Sequence, residues 1–285
     1  MLYKEYEPEV LKKLQAVETE ILADFNTLCE ENGIDYFAVG GTLIGTVRHK
    51  GFIPWDDDID LGMTRKNYDK FLQIGDNAFN GKYRTINYEI DNKFAGMFTK
   101  WYKAGTVFRD KDAMVTGCVA GIPLDIFCFE NVPEDEPKRR KQGRWAWIWG
   151  KIFILRNISR PTIYAEGLKV KIVTGISMIC NGALRLFRIS PSSLYEKAQR
   201  VAKKYNNIET SYVSYLFDPT PHLSVMKRED LEPTKWAEFE NIKIRIPNKA
   251  EKYLELRFGD DYMIIPPEDK RHNHPPMELD FGSEE

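Results

Sequence analysis

The sequence has neither a long hydrophobic run nor a charge imbalance, and these absences exclude several classes of protein. No segment reaches the roughly 18 consecutive apolar residues of a transmembrane helix. The first residues are polar and lack the apolar core of a signal peptide. We therefore expect a cytoplasmic protein. The formal net charge of −2 gives no overall basic field, which argues against a nucleic acid partner.

Cysteine is also scarce. The four cysteines are scattered and form no Cys-x-x-Cys pair, so reduced core thiols are expected and a zinc site made of cysteines is not. The chain has 285 residues, of which 42% are hydrophobic. This length and composition allow one large domain or two small ones with a sizeable core.

The sequence does contain an unusual acidic segment at residues 56–60. Four of its five residues are aspartates, and apolar residues precede, interrupt and follow it, which is not typical of a solvated loop. Carboxylates this close repel one another and take up protons unless a cation neutralises them. If the end of the segment is a strand, Asp58 and Asp60 share one face while Ile59 and Leu61 face the core. Two such carboxylates suit a hard divalent cation, Mg²⁺ or Mn²⁺.

A glycine pair lies upstream of the acidic segment. Residues 36–39 have the pattern of a short buried strand, Gly40 and Gly41 end it, and Thr42 is in position to cap a helix that runs to about His49. Glycines at such a turn let backbone N–H groups approach an anion, and the start of a helix favours negative charge. Each motif alone has an ordinary explanation, a tight turn or a solvated loop. Together they indicate a phosphate-binding turn beside a cation site.

A later strand carries a charge where strands rarely do. Residues 121–129 are apolar except for Asp125, and a buried charge needs a partner or a metal. One interpretation is a salt bridge to a nearby Lys or Arg. We prefer a third carboxylate of the site, which either assists the metal or acts as general base on an attacking hydroxyl. Lys100 and Lys103 are candidates to meet phosphate, and solvated lysines of an edge strand are the alternative.

The middle of the chain differs from both ends. A charged connection marks the end of a catalytic core at residues 1–132. Residues 133–190 then carry two apolar segments studded with Lys and Arg and nearly free of acid, the first of which contains three Trp residues. This pattern is typical of interfacial helices on an anionic membrane leaflet. An ordinary helical pair that covers the core is the alternative. Residues 191–285 show helix and hairpin patterns that complete the core.

The segments 40–48 and 51–60 closely resemble the signature of the LicD family. The resemblance is strongest over residues 11–72, is clear at 123–127 and is present at 253–267. It implies a divergent nucleotidyltransferase fold. The expected fold class is therefore α+β (or α/β), with a mixed sheet flanked by helices and a helical, basic and aromatic insertion.

The resemblance also implies an activity. Members of the family are phosphocholine and related phosphotransferases. The implied reaction is Mg²⁺-dependent transfer of a phospho-alcohol from a CDP-activated donor such as CDP-choline, with release of CMP. The acceptor would be a hydroxyl of a cell-surface glycan or teichoic acid precursor. The tryptophans and flanking cations of the insertion, and not the resemblance, lead us to expect that the insertion brings the enzyme to a lipid-linked acceptor at the inner face of the membrane.

The residues and the resemblance together define a candidate site. The expected catalytic and metal-binding residues are three aspartates: Asp58, Asp60 and Asp125. The expected donor-binding residues offer backbone N–H groups or positive charge: Gly40, Gly41, Thr42, Arg48 and Lys100. Lys100 is favoured over Lys103 by the resemblance. Asp56 and Asp57 either support the site, or one of them replaces Asp58 as ligand if the strand register differs by two.

Other assignments stay open at this point. A cage for a quaternary ammonium would suit Trp55, Trp101 and Tyr102, although aromatic residues are commoner in a core. His272 and His274, two residues apart, either lie near the site or bind metal, or belong to an exposed tail, and the tail is the preferred interpretation.

Two rival functions also remain. A nucleotidyltransferase that leaves a nucleotide on its acceptor shares the same metal site. A non-catalytic, membrane-associated partner protein predicts damage to the three aspartates, and all three are present.

Overall fold

The computed structural model of the protein describes residues 6–161, 168–271 and 273–283. Helices and short strands alternate along these residues. The helices are α1 Pro8–Glu31, α2 Gly40–His49, α3 Arg65–Ile74, α4 Lys111–Thr116, α5 Glu136–Asn157, α6 Leu168–Leu186, α7 Pro191–Ala202, α8 Arg228–Leu231 and α9 Ala250–Phe258. The strands are β1 Phe37–Ala38, β2 Asp60–Thr64, β3 Tyr83–Ile86, β4 Thr99–Lys103, β5 Val107–Arg109, β6 Pro123–Val132, β7 Tyr212–Ser214, β8 Val225–Lys227, β9 Lys235–Phe239, β10 Ile242–Ile246 and β11 Glu278–Asp280.

The centre of the fold is a mixed sheet with the strand order β1-β2-β6-β4-β3. Strands β2 and β6 run parallel, and the other neighbours in this order are antiparallel. The far half of β6 also pairs with β7, which pairs with β8. Separate ribbons join β9 to β10 and β5 to β11. The predicted α+β fold with a mixed sheet flanked by helices is confirmed.

Helix α1 is an amphipathic helix that packs on the core. Its apolar residues recur at helical spacing, and the buried ones form the face packed on the core: Leu14, Ile21, Leu22, Phe25 and Leu28. The helix ends where Asn32 donates a side-chain hydrogen bond to the Leu28 carbonyl at 2.8 Å and Gly33 adopts a φ of +55°. This is the stop that the Asn-Gly pair predicts.

Strand β4 separates the core from the charged face of the sheet. Trp101 is fully buried, and its ring lies 5.4 Å from that of Phe25, 6.2 Å from that of Phe71 and 4.1 Å from that of Tyr83. Because side chains alternate along a strand, the neighbouring Lys100 points to the opposite face. The aromatic core and the charged residues therefore occupy opposite sides of the same strand.

The two apolar segments in the middle of the chain are helices α5 and α6. Helix α5 packs along α7 and buries Ala146 and Phe153. The indole N–H of Trp147 donates to the carbonyls of Asp218 and Pro219 at 3.1 and 3.2 Å. Residues 162–167 lie outside the described residues. The expected boundaries after residues 132 and 190 stay a prediction.

In the described part of the chain, no single helix has both the length and the apolar composition needed to cross a membrane. One pair of helices satisfies that test together, although the two meet at a bend of 109°: Val170–Leu186 and Pro191–Tyr205.

Replacing Trp101 by Ala is expected to lower the free energy of unfolding by about 3–5 kcal/mol, because it leaves a cavity among aromatic rings that cannot collapse to fill it. The exposed Trp145, replaced in the same way, is the control and should change stability by under about 1 kcal/mol. Urea denaturation followed by circular dichroism measures both changes. Equal effects of the two substitutions would contradict this assignment of the core.

Candidate active site

Three charged side chains form a row across the middle of the sheet. The register places Asp60 of β2 beside Asp125 of β6, and Asp125 beside Lys100 of β4. Residues paired in this way point to the same face of a sheet. The Lys100 Nζ atom lies 2.7 and 3.0 Å from the two carboxylate oxygens of Asp125. The fold thus brings together three expected site residues from three separate stretches of sequence.

The row faces a cavity of about 460 Å³. The polar part of the lining also includes Gly40, Asp57, Asp58 and His274. Much of the remaining wall is aromatic: Phe94, Phe98, Phe108, Phe127, Tyr215 and Phe217. Apolar walls with a few converging charged groups are typical of a small-molecule site.

The glycine pair lies directly against the acidic cluster. Gly40 has a φ of +56°, and a Cβ atom there would lie 2.7 Å from Asp60 Oδ2. A Cβ atom on Gly41 would lie 2.7 Å from Asp56 Oδ2. The positive φ favours glycine at position 40, and a side chain at either position would displace a carboxylate. The N–H of Gly40 donates to the hydroxyl of Tyr253 at 3.4 Å, and the expected contacts of the turn with phosphate stay a prediction.

Thr42 does not cap helix α2. The helix begins two residues earlier, at Gly40, because the left-handed glycine itself turns the chain into the helix. The Thr42 hydroxyl instead accepts a hydrogen bond from the backbone N–H of Asp60 at 2.8 Å. The capping prediction is wrong, and Thr42 ties the glycine turn to the start of β2.

The aspartates repel one another in a buried setting. Burial and the charge of Asp58 raise the pKa of Asp57 to about 6. The same two causes raise the pKa values of Asp56 and Asp60 well above the ordinary range. Burial raises the pKa of Asp125 as well. The cluster therefore favours protons or a cation at neutral pH, as the spacing of the acidic segment predicts.

His274 lies over the acidic cluster. Its Nδ1 atom is 3.4 Å from Asp58 Oδ2, and its backbone N–H donates to both carboxylate oxygens of Asp57 at 2.8 and 3.0 Å. Asp57 also accepts a hydrogen bond from the Tyr6 hydroxyl at 2.6 Å. Burial alone would lower the pKa of His274, but the hydrogen bond and charge of Asp58 raise it to about 10. The tail interpretation is wrong for His274, and His272 lies outside the described residues.

A hard divalent cation fits this set of side chains. Within the ranges that the structure describes, one oxygen each of Asp57 and Asp58 and a ring nitrogen of His274 lie within 4.8 Å of one another. Oxygen-rich ligand sets suit Mg²⁺ or Mn²⁺. The expected set was Asp58, Asp60 and Asp125, so the geometry adds Asp57 and His274 as candidates beside Asp58. His274 must lose its proton before its nitrogen can bind a metal.

The two expected cations have different surroundings. Lys100 lines the cavity and is paired with Asp125. Arg48 lies at the end of α2, where its guanidinium donates to the carbonyls of Tyr262 at 3.0 Å and Ile264 at 3.2 Å. Arg48 therefore holds a loop in place, and its expected contact with phosphate stays a prediction.

The aromatic residues considered for a cage lie elsewhere. Trp101 is in the core on the opposite face of β4. The ring of Trp55 lies 4.2 Å from the guanidinium of Arg271. Tyr102 packs on a separate small apolar cluster. The structure therefore shows the alternative considered commoner, in which these aromatic residues pack in apolar clusters, and none of the three lines the cavity.

Glu18 is a buried carboxyl that sequence reasoning missed. It lies on α1 with no exposed surface, and among the described residues no donor is within hydrogen-bond distance of either carboxyl oxygen. Burial and then the charges of Asp58 and Asp57 raise its pKa well above the ordinary value. In the sequence it is one more polar position on an amphipathic helix, so no local signal separates it from its solvated neighbours.

Comparisons with known proteins agree with this geometry. Residues 33–136, which contain the glycine turn, the acidic segment, Lys100 and Asp125, match the LicD/FKTN/FKRP nucleotidyltransferase domain. The lipopolysaccharide cholinephosphotransferase LicD of Haemophilus influenzae is 28% identical over 271 residues, which is 93% of this chain and 95% of that protein.

Two shorter matches are also informative. Human ribitol 5-phosphate transferase FKRP is 50% identical over 34 residues, or 12% of this chain and 7% of that protein. An uncharacterised protein of Rickettsia typhi is 42% identical over 55 residues, or 19% of this chain and 18% of that protein. The expected resemblance to the LicD family and the expectation of a LicD-type transferase are confirmed.

Mg²⁺ is expected to raise the melting temperature more at pH 7 than at pH 5. The folded-state pKa of Asp57, about 6, exceeds its ordinary value of 3.8, so in the metal-free protein its ionisation lowers stability as the pH rises between these values. A bound cation removes that loss. Calorimetry with EDTA or with Mg²⁺ measures the shifts, with Asp58→Asn as the variant expected to lose them. Equal shifts at both pH values would count against a cation site here.

The His274–Asp58 contact is expected to stabilise the metal-free protein by at most about 1 kcal/mol, because the His274 side chain is half-exposed and screened by solvent. The pKa of His274 rises from 6.5 to about 10 on folding, so this contribution is complete below pH 6.5 and is lost as the pH rises to about 10. The difference in melting temperature between wild type and His274→Gln should therefore shrink from pH 6 to pH 10. A constant difference would refute the ion pair.

Proposed function

We propose that the protein is a Mg²⁺-dependent phosphotransferase that moves phosphocholine, or a similar phospho-alcohol, from a CDP-activated donor to a glycan hydroxyl and releases CMP. The observation that carries this proposal is the row of Asp60, Asp125 and Lys100 in one cavity with Asp58. Its setting in a LicD domain supports a transferase. The likeness to a lipopolysaccharide cholinephosphotransferase supports phosphocholine and a glycan acceptor.

Charge neutralisation is the first task of such a site. Phosphoryl transfer depends on positioning and electrostatic stabilisation more than on covalent participation by the protein. Asp58 and Asp60 would hold the cation, as expected from the sequence. The geometry adds Asp57 and His274 as further candidate ligands. The bound cation would offset charge on the donor diphosphate. Asp57 also positions His274, because its two carboxylate oxygens accept hydrogen bonds from the His274 backbone N–H.

Asp125 is the proposed general base. Lys100 donates to both of its oxygens, which fixes the orientation of the carboxylate, and burial raises its pKa towards the operating range. The acceptor hydroxyl gives its proton to Asp125, and its oxygen forms a bond to the phosphorus that carries the alcohol. The bond from that phosphorus to the bridging oxygen breaks, and CMP leaves with the electron pair. Lys100 is placed to offset charge on the leaving group.

The aromatic wall supports a quaternary ammonium on the donor. The rings of Phe98 and Phe127 stack at 5.2 Å, and Tyr215 meets Phe127 edge-on at 5.0 Å. Lys100 Nζ lies 5.3 Å from the centre of the Phe98 ring, so the charged row and the aromatic wall adjoin. Ring faces attract quaternary ammonium groups such as that of choline. These rings replace the cage residues considered from the sequence.

A panel of CDP-alcohols tests the reaction. With a lipopolysaccharide-derived oligosaccharide as acceptor, CDP-choline is expected to give Mg²⁺-dependent CMP release, faster than CDP-ribitol or CDP-glycerol. Mass spectrometry of the acceptor should show the added mass of phosphocholine. Addition of cytidylate would establish the nucleotidyltransferase alternative, in which the acceptor attacks the phosphorus that carries the cytidine. No turnover of any donor would reject both enzymatic readings.

Asp58→Asn and Asp60→Asn are each expected to lower kcat by at least about 100-fold. Asp60→Asn should leave the melting temperature unchanged or raise it, because a neutral amide relieves the repulsion that raises the pKa of Asp60. The exposed Asp260→Asn is the matched control and should keep wild-type turnover. Wild-type activity in either site variant would exclude the proposed site.

A further inference from the structure

Helix α6 presents apolar side chains to solvent and polar ones to the protein. Its buried positions include Ser177 and Asn181, and the Asn181 amide donates to the carbonyls of Leu155 at 2.7 Å and Arg156 at 3.1 Å on α5. The exposed large apolar residues, with their exposed fractions, are Ile172 (53%), Ile176 (55%), Ile179 (74%), Leu186 (78%) and, just after the helix, Phe187 (74%). A helix on a water-exposed surface has the opposite arrangement.

The neighbouring helix α7 shows the ordinary arrangement. Its apolar residues Leu194, Ala198 and Ala202 are buried against the rest of the protein. The inverted face of α6 is therefore a property of that helix and not of the whole region. An apolar patch of this kind marks a surface that is covered by something else.

The charge of this region selects the kind of partner. Residues 137–160 contain eight Lys or Arg residues and residues 168–190 contain four, and neither segment contains Asp or Glu. The whole chain has a formal net charge of only −2, so positive charge is concentrated here. Exposed apolar side chains flanked by cations match the acyl boundary and anionic headgroups of a lipid leaflet.

Helix α5 connects this face to the cavity. Ile154 and Ile158 line the same cavity as Asp125. Leu155 and Arg156, which lie between them in sequence, hold Asn181 of α6. One turn of α5 thus contacts both the candidate active site and the inverted helix.

We propose that residues 168–190 form a membrane-contact face that docks the protein on an anionic lipid leaflet, with α6 lying in the plane of the interface. Its apolar side chains enter the boundary with the acyl chains. The exposed Lys171, Arg185 and Arg188 meet headgroup phosphates. This arrangement holds the cavity at the leaflet, where a lipid-linked acceptor is encountered. The docking itself does not depend on which reaction the cavity performs.

Co-sedimentation with lipid vesicles tests the proposal without any turnover. The wild-type protein is expected to bind vesicles that contain phosphatidylglycerol, to bind vesicles of phosphatidylcholine alone far more weakly, and to be released by high salt. The double variants Ile176→Ser/Ile179→Ser and Lys171→Gln/Arg185→Gln are each expected to bind at least about tenfold more weakly. Both should fold, because the substituted side chains are exposed.

The matched control removes equally exposed isoleucines elsewhere. Ile90→Ser/Ile208→Ser, at positions that are 59% and 51% exposed, should bind vesicles like the wild type. Circular dichroism melting curves verify that all variants fold. Failure of the wild type to bind anionic vesicles, or unchanged binding by the α6 variants, overturns the proposal. A dimer in light scattering that Ile176→Ser/Ile179→Ser disrupts, without vesicle binding by the wild type, would show that a second copy covers this face instead.

Discussion

The parallel pairing of β2 with β6 is the constraint on which the site depends. It sets Asp60 beside Asp125, and the antiparallel partner β4 adds Lys100 to the same row. A slip of one residue would turn Asp60 into the core and bring Ile59 and Leu61 to the cavity. Both of these side chains are fully buried, so the hydrophobic core holds the register that the charged residues need.

The acidic cluster is electrostatically unfavourable in the metal-free fold, because its carboxylates repel one another. Buried carboxylates are held together by contacts that come from distant parts of the chain, including the Tyr6 hydroxyl and the backbone N–H of His274. Gly40 and Gly41 leave just enough room for the carboxylates of Asp60 and Asp56. Such local destabilisation is found where function requires it. It is the physical basis for expecting a cation here.

Elements with a strong local pattern can be located from periodicity. Apolar spacing and turn residues indicate helix α1, the hairpin of β9 and β10, and the helix that follows Ser190. Element ends were less accurate: β2 begins at Asp60 and not at Asp58, and α2 begins at Gly40. Strands β5, β8 and β11, each three residues long, were not predicted because so short a segment carries no periodic signal.

The sequence alone was enough to indicate the three aspartates, because acidic residues framed by apolar ones are anomalous wherever the segment lies in the fold. The salt bridge of Asp125 with Lys100 was one of two local interpretations, and the register of the sheet brings the two side chains together beside Asp60. The other interpretation, a third carboxylate of the site, stays a prediction. Packing decided against the tail interpretation of His274, whose backbone N–H bonds Asp57 across 217 residues, since no spacing rule extends over that distance. Tertiary packing also placed Trp101 in the core and the apolar face of α6 at the solvent-exposed surface. The direction of a side chain depends on what the rest of the fold packs against it, and the sequence alone does not show this.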